Sequence, residues 1–276
     1  MKCPQPITVR MKSTDNIKDK MQVPCGKCPI CLERRRSNWS FRMQRELKEH
    51  TSASFVTLTI DDRKIVEKYG SMELSKELSK PLIQNFLKRV RKEIPYPIRY
   101  YIVGEYGPKT LRPHYHGIIF GLKRDDRQQF SDIWGIGNVK HGDVNAKSIH
   151  YVCGYVIQKF EFLPKKQQPF SLMSRRPGIG NGYVETHGKY HKDTQNTFVT
   201  YPGGIKGQMP RYYKDKIFTK TEQIYHGIQS LKAEEKLYNQ NRDRIEKLGN
   251  NYHNYVLEQS NQKQNQIIKR LKSKKL

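Results

Sequence analysis

Two hydrophobic periods run along this chain, and the changes between them mark its elements. The stretch Arg112-Pro113-His114-Tyr115-His116-Gly117-Ile118-Ile119-Phe120 reads as a strand ended by Gly121 and the charges after it. Strand alternation makes His114 and His116 project together while Tyr115 points the other way. Phe55-Val56-Thr57-Leu58-Thr59-Ile60 is a second strand by its β-branched content, closed by Asp61-Asp62. Ile98 to Val103 is a third, and Gly104-Glu105-Tyr106-Gly107-Pro108-Lys109 is the turn or bulge joining it, antiparallel, to the histidine strand. Helical spacing takes over elsewhere. Leu32, Trp39, Met43 and Leu47 share one face of a helix whose Arg34, Arg42 and Arg45 lie away from it. Ile83, Leu87, Val90 and Ile94 stripe a helix from about Pro81 to Glu93, broken by Pro95 and Pro97. A helical stretch from Arg127 to Trp134, a short strand near Asn138-Val139 and a helix from Ala146 to Phe160 follow. This order predicts an α+β sandwich, helices packed on an antiparallel sheet.

Glycine and proline dominate from Pro164 to Pro210, which reads as loop wrapped over the core. After Phe218 the chain is polar and helical, with Ile224, Ile228 and Leu231 as sparse apolar residues, and it ends in a basic run; a solvated, partly disordered tail is expected. The predicted segments are therefore a Cys-rich stretch with an Arg-rich helix over 1–50, a core over 51–218 and a helical basic tail over 219–276. No repeat of fixed period is present.

At 276 residues and 35% hydrophobic content, the chain supports one core with polar extensions. Lys and Arg total 52 against 26 Asp and Glu, a net charge of +26 spread along the chain, and this points to a polyanionic partner, most simply nucleic acid. An anionic membrane surface is the competing reading, but there is no apolar run of spanning length and Met1-Lys2-Cys3-Pro4 is not a signal peptide, so a cytosolic protein is expected. Five cysteines, four near the N-terminus, fit reduced and partly metal-bound thiols better than a disulfide framework.

His-x-His alone says little: nine histidines in this length produce it by chance roughly 0.3 times, and two ordinary strand histidines remain an alternative. Glu105 can reach the same face as His114 and His116, giving two nitrogens and a carboxylate with open positions for substrate oxygens, a set suited to Mg²⁺ or Mn²⁺ holding a phosphate. A surface carboxylate in a turn is the plainer reading of Glu105. On the helix from Ala146, Ile149, Val152, Cys153, Val156 and Phe160 cluster within about 100° as the core face. Tyr151, Tyr155 and Lys159 stack on another side, where the tyrosines are not needed for the core. They are surface tyrosines or phenol nucleophiles, with Lys159 as the cation that eases phenolate formation. Cys3, Cys25, Cys28 and Cys31 have spacings that suit a structural Zn²⁺ pinning the N-terminus to the first helix; free thiols or an iron–sulfur cluster are the alternatives. Cys153 reads as a small buried hydrophobe. Arg34, Arg35, Arg36, Arg42, Arg45, Arg175, Arg176 and Arg211 are candidate DNA phosphate contacts, each with a solvated face as its alternative.

Phe55-Val56-Thr57-Leu58-Thr59, His114-Tyr115-His116 and Tyr151-x-x-x-Tyr155-x-x-x-Lys159, in that order, resemble the HUH endonucleases that start rolling-circle replication. Cys25-Gly-x-Cys28-x-x-Cys31 before an Arg-rich helix, Met173-Ser174-Arg175-Arg176-Pro177-Gly178-Ile179-Gly180 and Pro210-Arg211-Tyr212-Tyr213 look like the replication initiators of gokushovirus-type (Microviridae) single-stranded-DNA phages. The resemblance covers about residues 1 to 218. It implies a five-stranded antiparallel sheet with the histidines on its central strands, and a metal at His114, His116 and Glu105 that grips the scissile phosphate of single-stranded phage origin DNA. It further implies attack by Tyr151 or Tyr155, a 5′-phosphotyrosine, and a free 3′-OH used by host helicase and DNA polymerase in the host bacterial cytoplasm. A second tyrosine one turn away implies a second cleavage of the regenerated origin. In relaxases of the same superfamily the tyrosine precedes the histidines and a third histidine is usual; the order here favours initiators and transposases. A two-tyrosine transposase, or a non-catalytic zinc-bearing DNA-binding or packaging protein whose tyrosines stack on bases, are the rival functions.

Overall fold

Strand and helix propensities resolve, in the computed structural model, into nine strands and ten helices among the described residues, which are 3–10, 20–155, 166–201, 203–247, 249 and 251–272. Strands β1 (Ile7–Arg10) and β2 (Lys20–Val23) pair antiparallel ahead of helix α1 (Pro29–Leu47). Next come β3 (Ala53–Thr59), helices α2 (Asp62–Tyr69), α3 (Glu73–Lys76) and α4 (Lys80–Glu93), and strands β4 (Arg99–Tyr106) and β5 (Pro113–Phe120). Helix α5 (Arg127–Trp134), strand β6 (Val139–Gly142), helix α6 (Ala146–Gly154) and strand β7 (Phe170–Met173) follow. The rest holds α7 (Gly182–Thr194), the antiparallel pair β8 (Phe198–Thr200) and β9 (Lys206–Gln208), and helices α8 (Arg211–Ile217), α9 (Lys220–Lys247) and α10 (Tyr252–Lys272). Two compact units result, Arg35–Glu185 and Met1–Arg34 with Thr186–Leu276.

The first unit is built on a five-stranded antiparallel sheet of order β6-β3-β5-β4-β7, so the histidine strand β5 is central, as the resemblance implies. Each face of the sheet is covered because the strands alternate. Val56, Leu58, Ile102, Tyr115 and Ile119 lie on one face against Phe86 and Val90 of α4 and Phe130 and Trp134 of α5. Each large apolar side chain removed from water there contributes about 1.5–3 kcal/mol. Helix α4 has a clear start and a continuous apolar stripe. Ser79 caps it by accepting from the Leu82 N–H at 3.2 Å, a proline occupies its first turn, and Leu82, Ile83, Phe86, Leu87 and Val90 form its buried face. Tyr101, Val103, Ile118 and Phe120 form the other face of the sheet, against Met43 of α1 and Ile149, Val152 and Cys153 of α6. Glu46, fully buried on α1, ties that helix to the sheet. It pairs with Arg99 of β4 and accepts from the Gly180 N–H at 2.6 Å and from His50 Nε2 at 3.2 Å.

Four expectations are corrected. Residues 104–106 are strand, not turn: β4 runs to Tyr106, and the reversal is made at 107–112 with Gly107 N–H donating to the Arg112 carbonyl at 2.9 Å. The stretch read as loop from Pro164 to Pro210 contains β7, α7 and the β8–β9 pair; β7 escapes notice because four residues, Phe170-Ser171-Leu172-Met173, carry too short an alternation among glycines and prolines. The helix expected to reach Phe160 is seen from Ala146 to Gly154, and residues 156–165, Lys159 with them, lie outside the described residues. Tyr155 is not dispensable to packing, since it is buried with Val152 and Cys153 against the sheet.

In the second unit α9 and α10 are long and polar, with Ile224, Leu231 and Leu237 exposed, as a solvated tail requires. Among the described residues no helix is long and apolar enough to cross a membrane.

Candidate active site

The register of β4 and β5 assembles the site. Glu105 is directly opposite His114, and Val103 is opposite His116, so Glu105 and both imidazoles rise from one face of the sheet. His116 Nε2 lies 3.1 Å from Glu105 Oε1, and the two imidazoles stand nearly parallel with centroids 6.5 Å apart. Each ring is held from behind. His114 Nδ1 is 2.8 Å from the Arg112 carbonyl, which can only accept, so the proton is on Nδ1 and the Nε2 lone pair is left for a ligand. His116 Nδ1 is 3.1 Å from Thr57 Oγ1, its cross-strand neighbour on β3. Sequence reading placed Thr57 in a motif without giving it a role; its position opposite His116 supplies one. Lys140 of β6 is opposite Thr57 in turn, and so lies on the same face.

These side chains fit a divalent cation. An imidazole nitrogen and a carboxylate oxygen 3.1 Å apart must share a proton unless a cation takes its place. That separation is close to the roughly 3.0 Å between neighbouring donors around an octahedral ion with bonds of about 2.1 Å. Among the described residues, however, the cysteine quartet is the only group of three or more such side chains whose ligand atoms gather to within 4.8 Å. His114 stands one cross-strand pair away from the His116–Glu105 contact.

Helix α6 brings the tyrosines over the histidines. Asn145 starts it with a capping box, its side chain accepting from the Lys147 and Ser148 N–H groups while Ser148 Oγ accepts from the Asn145 N–H at 2.8 Å. Tyr155 stacks on His116 with centroids 4.8 Å apart, and Tyr151 stands edge-on to the same imidazole at 6.1 Å. The two phenol rings are 4.9 Å apart, and Phe55 lies edge-on to Tyr151 at 6.1 Å. Their environments differ. Tyr151 is 47% exposed and Tyr155 8%. Burial, then the Glu105 charge, and hydrogen bonds to Tyr151 and Glu105 hold the Tyr155 phenol far above its usual pKa.

A family model described as the replication-associated protein ORF2 matches residues 53–160, the span that carries Glu105, both histidines and both tyrosines. The replication-associated protein VP4 of Bdellovibrio phage phiMH2K is 30% identical over 215 residues, covering 70% of this chain and 66% of its own length. The chain belongs to the phage replication-associated protein family. Its resemblance to Microviridae-type replication initiators is thereby borne out. Other relatives are the replication-associated protein ORF4 of Chlamydia phage 1, at 25% identity over 70% of this chain and 53% of that one, and ORF2 of Spiroplasma virus 4, at 26% over 69% and 66%. The chain thus spans between about half and two thirds of these relatives' own lengths. The N-terminal nuclease domain of minute virus of mice non-structural protein 1 is similar at 11% identity and a TM-score of 0.18, over 66% of this chain and 73% of that one, which is too slight to carry an argument.

The remaining site expectations in this replication-associated protein divide by burial. Arg35, Arg175, Arg176 and Arg211 are exposed, while Arg34, Arg42 and Arg45 are half-buried. Arg36, expected at DNA phosphates, is corrected: it is 4% exposed, and its Nε and Nη2 both donate to the His150 carbonyl at 3.3 Å, joining α1 to α6. Arg42 donates to the Ile179 carbonyl at 3.0 Å and covers Trp39, and Arg45 lies over Phe41 and Tyr183. Arg211 pairs with Asp215 at 3.4 Å. Cys153 is fully buried, and burial pushes its thiol far up. Cys3, Cys25, Cys28 and Cys31 come together as a group able to hold a metal ion.

Proposed function

We propose that this protein is an HUH-type initiator endonuclease that nicks single-stranded phage origin DNA through a tyrosine and later rejoins the strand. The observation that carries the reading is the convergence, on one face of one sheet, of the His116–Glu105 contact at 3.1 Å with two phenols packed on the same imidazole. Membership in a replication-associated family supports a substrate at a phage origin.

His114, His116 and Glu105 would hold Mg²⁺ or Mn²⁺, which supplies polarisation of the scissile phosphate. A tyrosine Oη forms a bond to phosphorus, the bond from phosphorus to O3′ breaks, and the departing oxygen takes up a proton. The products are a 5′-phosphotyrosine and a free 3′-OH, and the stored phosphodiester lets the reverse step rejoin DNA without ATP. Tyr151 acts first. Its hydroxyl faces solvent and can meet an incoming strand, whereas Tyr155 is sheltered against His116 and engaged with Glu105. Tyr155 serves the second cleavage after the first phenol is occupied. Lys140, on the site face, and the exposed Arg35, Arg175 and Arg176 are phosphate contacts flanking the cut.

The test is incubation with a single-stranded origin oligonucleotide and Mn²⁺, followed by denaturing electrophoresis. A protein–DNA adduct that needs the metal and disappears in the Tyr151→Phe, Tyr155→Phe double variant is the expected outcome. An adduct that survives the double substitution, or none with the native chain, contradicts the reading.

A further inference from the structure

The proposed nicking chemistry uses none of the four N-terminal cysteines, yet their geometry is that of a ligand set. Cys3 Sγ lies 3.4 Å from Cys25 Sγ and 3.8 Å from Cys28 Sγ, and all four sulfurs lie within 4.8 Å of one another. A disulfide would bring two of them to about 2.05 Å. Sulfurs at the corners of a tetrahedron with Zn–S bonds of about 2.3 Å stand about 3.8 Å apart.

The backbone around the quartet is arranged to stabilise anionic sulfur. Cys25 Sγ accepts from the Lys27 N–H at 3.4 Å and the Cys28 N–H at 3.3 Å, and Cys3 Sγ accepts from the Cys25 N–H at 3.3 Å. Gly26, at φ +72°, supplies the left-handed turn that folds these amides back onto the sulfurs. Cys28 and Cys31 sit at the start of α1, where free N–H groups and the positive end of the helix dipole favour thiolates. Apolar cover comes from Ile30 and from Ile267 of α10, both buried against Cys28 and Cys31.

The geometry points to a structural zinc site, formed by Cys3, Cys25, Cys28 and Cys31, that clamps the N-terminal segment and the start of α1 against the C-terminal helix α10. Four protein ligands close the coordination sphere and leave no open position for substrate, so the role is structural. A multi-iron cluster places several irons and sulfides between its cysteines and needs a wider spread than this quartet has. On binding, zinc gives up its waters and the thiol protons pass to solvent. Zinc removal therefore loosens the contact of the quartet with α10.

The test is elemental analysis of the full chain purified from zinc-supplemented medium, without DNA, so that a failed nicking assay leaves this result standing. One zinc per chain is expected, retained by Cys153→Ala and lost by Cys28→Ser. Because a misfolded Cys28→Ser chain would also lose zinc, native protein is titrated with an organomercurial. Zinc should leave in step with the four thiols, and limited proteolysis should then cut in α10 at least tenfold faster. Iron in place of zinc, no metal at all, or zinc that stays after the four thiols are blocked overturns the assignment.

Discussion

Neighbouring residues of one strand do opposite work on the two faces of the central sheet. Tyr115 is fully buried, edge-on to Trp134 at 6.1 Å, and its hydroxyl accepts from the Ser79 N–H at 2.9 Å. His116, the next residue, meets Glu105, Thr57 and Tyr155. The first face is sealed by α4 and α5 with apolar side chains; the second is covered by α1 and α6 but opens, at the end bearing Glu105 and His114, into a polar site. Close packing on one face thus fixes the register that places nitrogen and carboxylate donors on the other.

This division predicts that chemistry and stability can be lost separately. His116→Ala should lower metal-dependent adduct formation by about 10³-fold while leaving the thermal midpoint and most DNA affinity in place; a parallel loss of folding would make the pair structural. The converse is Phe86→Ala. Phe86 is fully buried, with its ring edge-on to Phe130 and Trp134 at 5.0 Å, and its truncation should cost about 4 kcal/mol in urea denaturation. The nicking rate per folded molecule should hold.

Glu46 sharpens the comparison at the α1 side. Burial alone raises its carboxyl pKa, but hydrogen bonds from His50, Gly180 and Arg99, with the Arg99 charge, outweigh that and hold it below the usual range. A folded value below the unfolded one means stability fully present above the unfolded pKa and lost as pH falls through the folded value. Glu46→Gln should therefore cost about 3 kcal/mol near neutral pH and flatten the acid limb of stability against pH. A variant as acid-sensitive as the native chain would contradict the linkage. The smallest effect is expected at Thr57. Removing the support of His116 Nδ1 with Thr57→Val should weaken apparent Mn²⁺ affinity about tenfold, read from the metal dependence of nicking.

Much of this was legible in the sequence because the central strands and α4 are long enough to show their periods. The histidine pair, the two tyrosines and the antiparallel partner strand could be named from residues alone. Glu105 was harder. Gly104 reads as a strand breaker, yet a Cβ there would meet Leu78, Phe170 and Tyr115 side chains at 3.1–3.2 Å, so the glycine is what allows β4 to continue under crowded packing. Tyr155 misled for a different reason. On a helical wheel it lies away from the apolar stripe, but the sheet face opposite α6 is partly polar, and His116 buries what Ile149 and Val152 do not reach. Arg36 looked like its arginine neighbours; only the tertiary placement of the His150 carbonyl distinguishes it.

The central claim is that the histidine face presents Tyr151 to DNA first. Peptide mapping by mass spectrometry of the adduct formed in a single turnover, with origin oligonucleotide and Mn²⁺, tests it most directly. The account predicts nucleotide mass on the peptide bearing Tyr151; the modification on Tyr155, or on neither tyrosine, would contradict it.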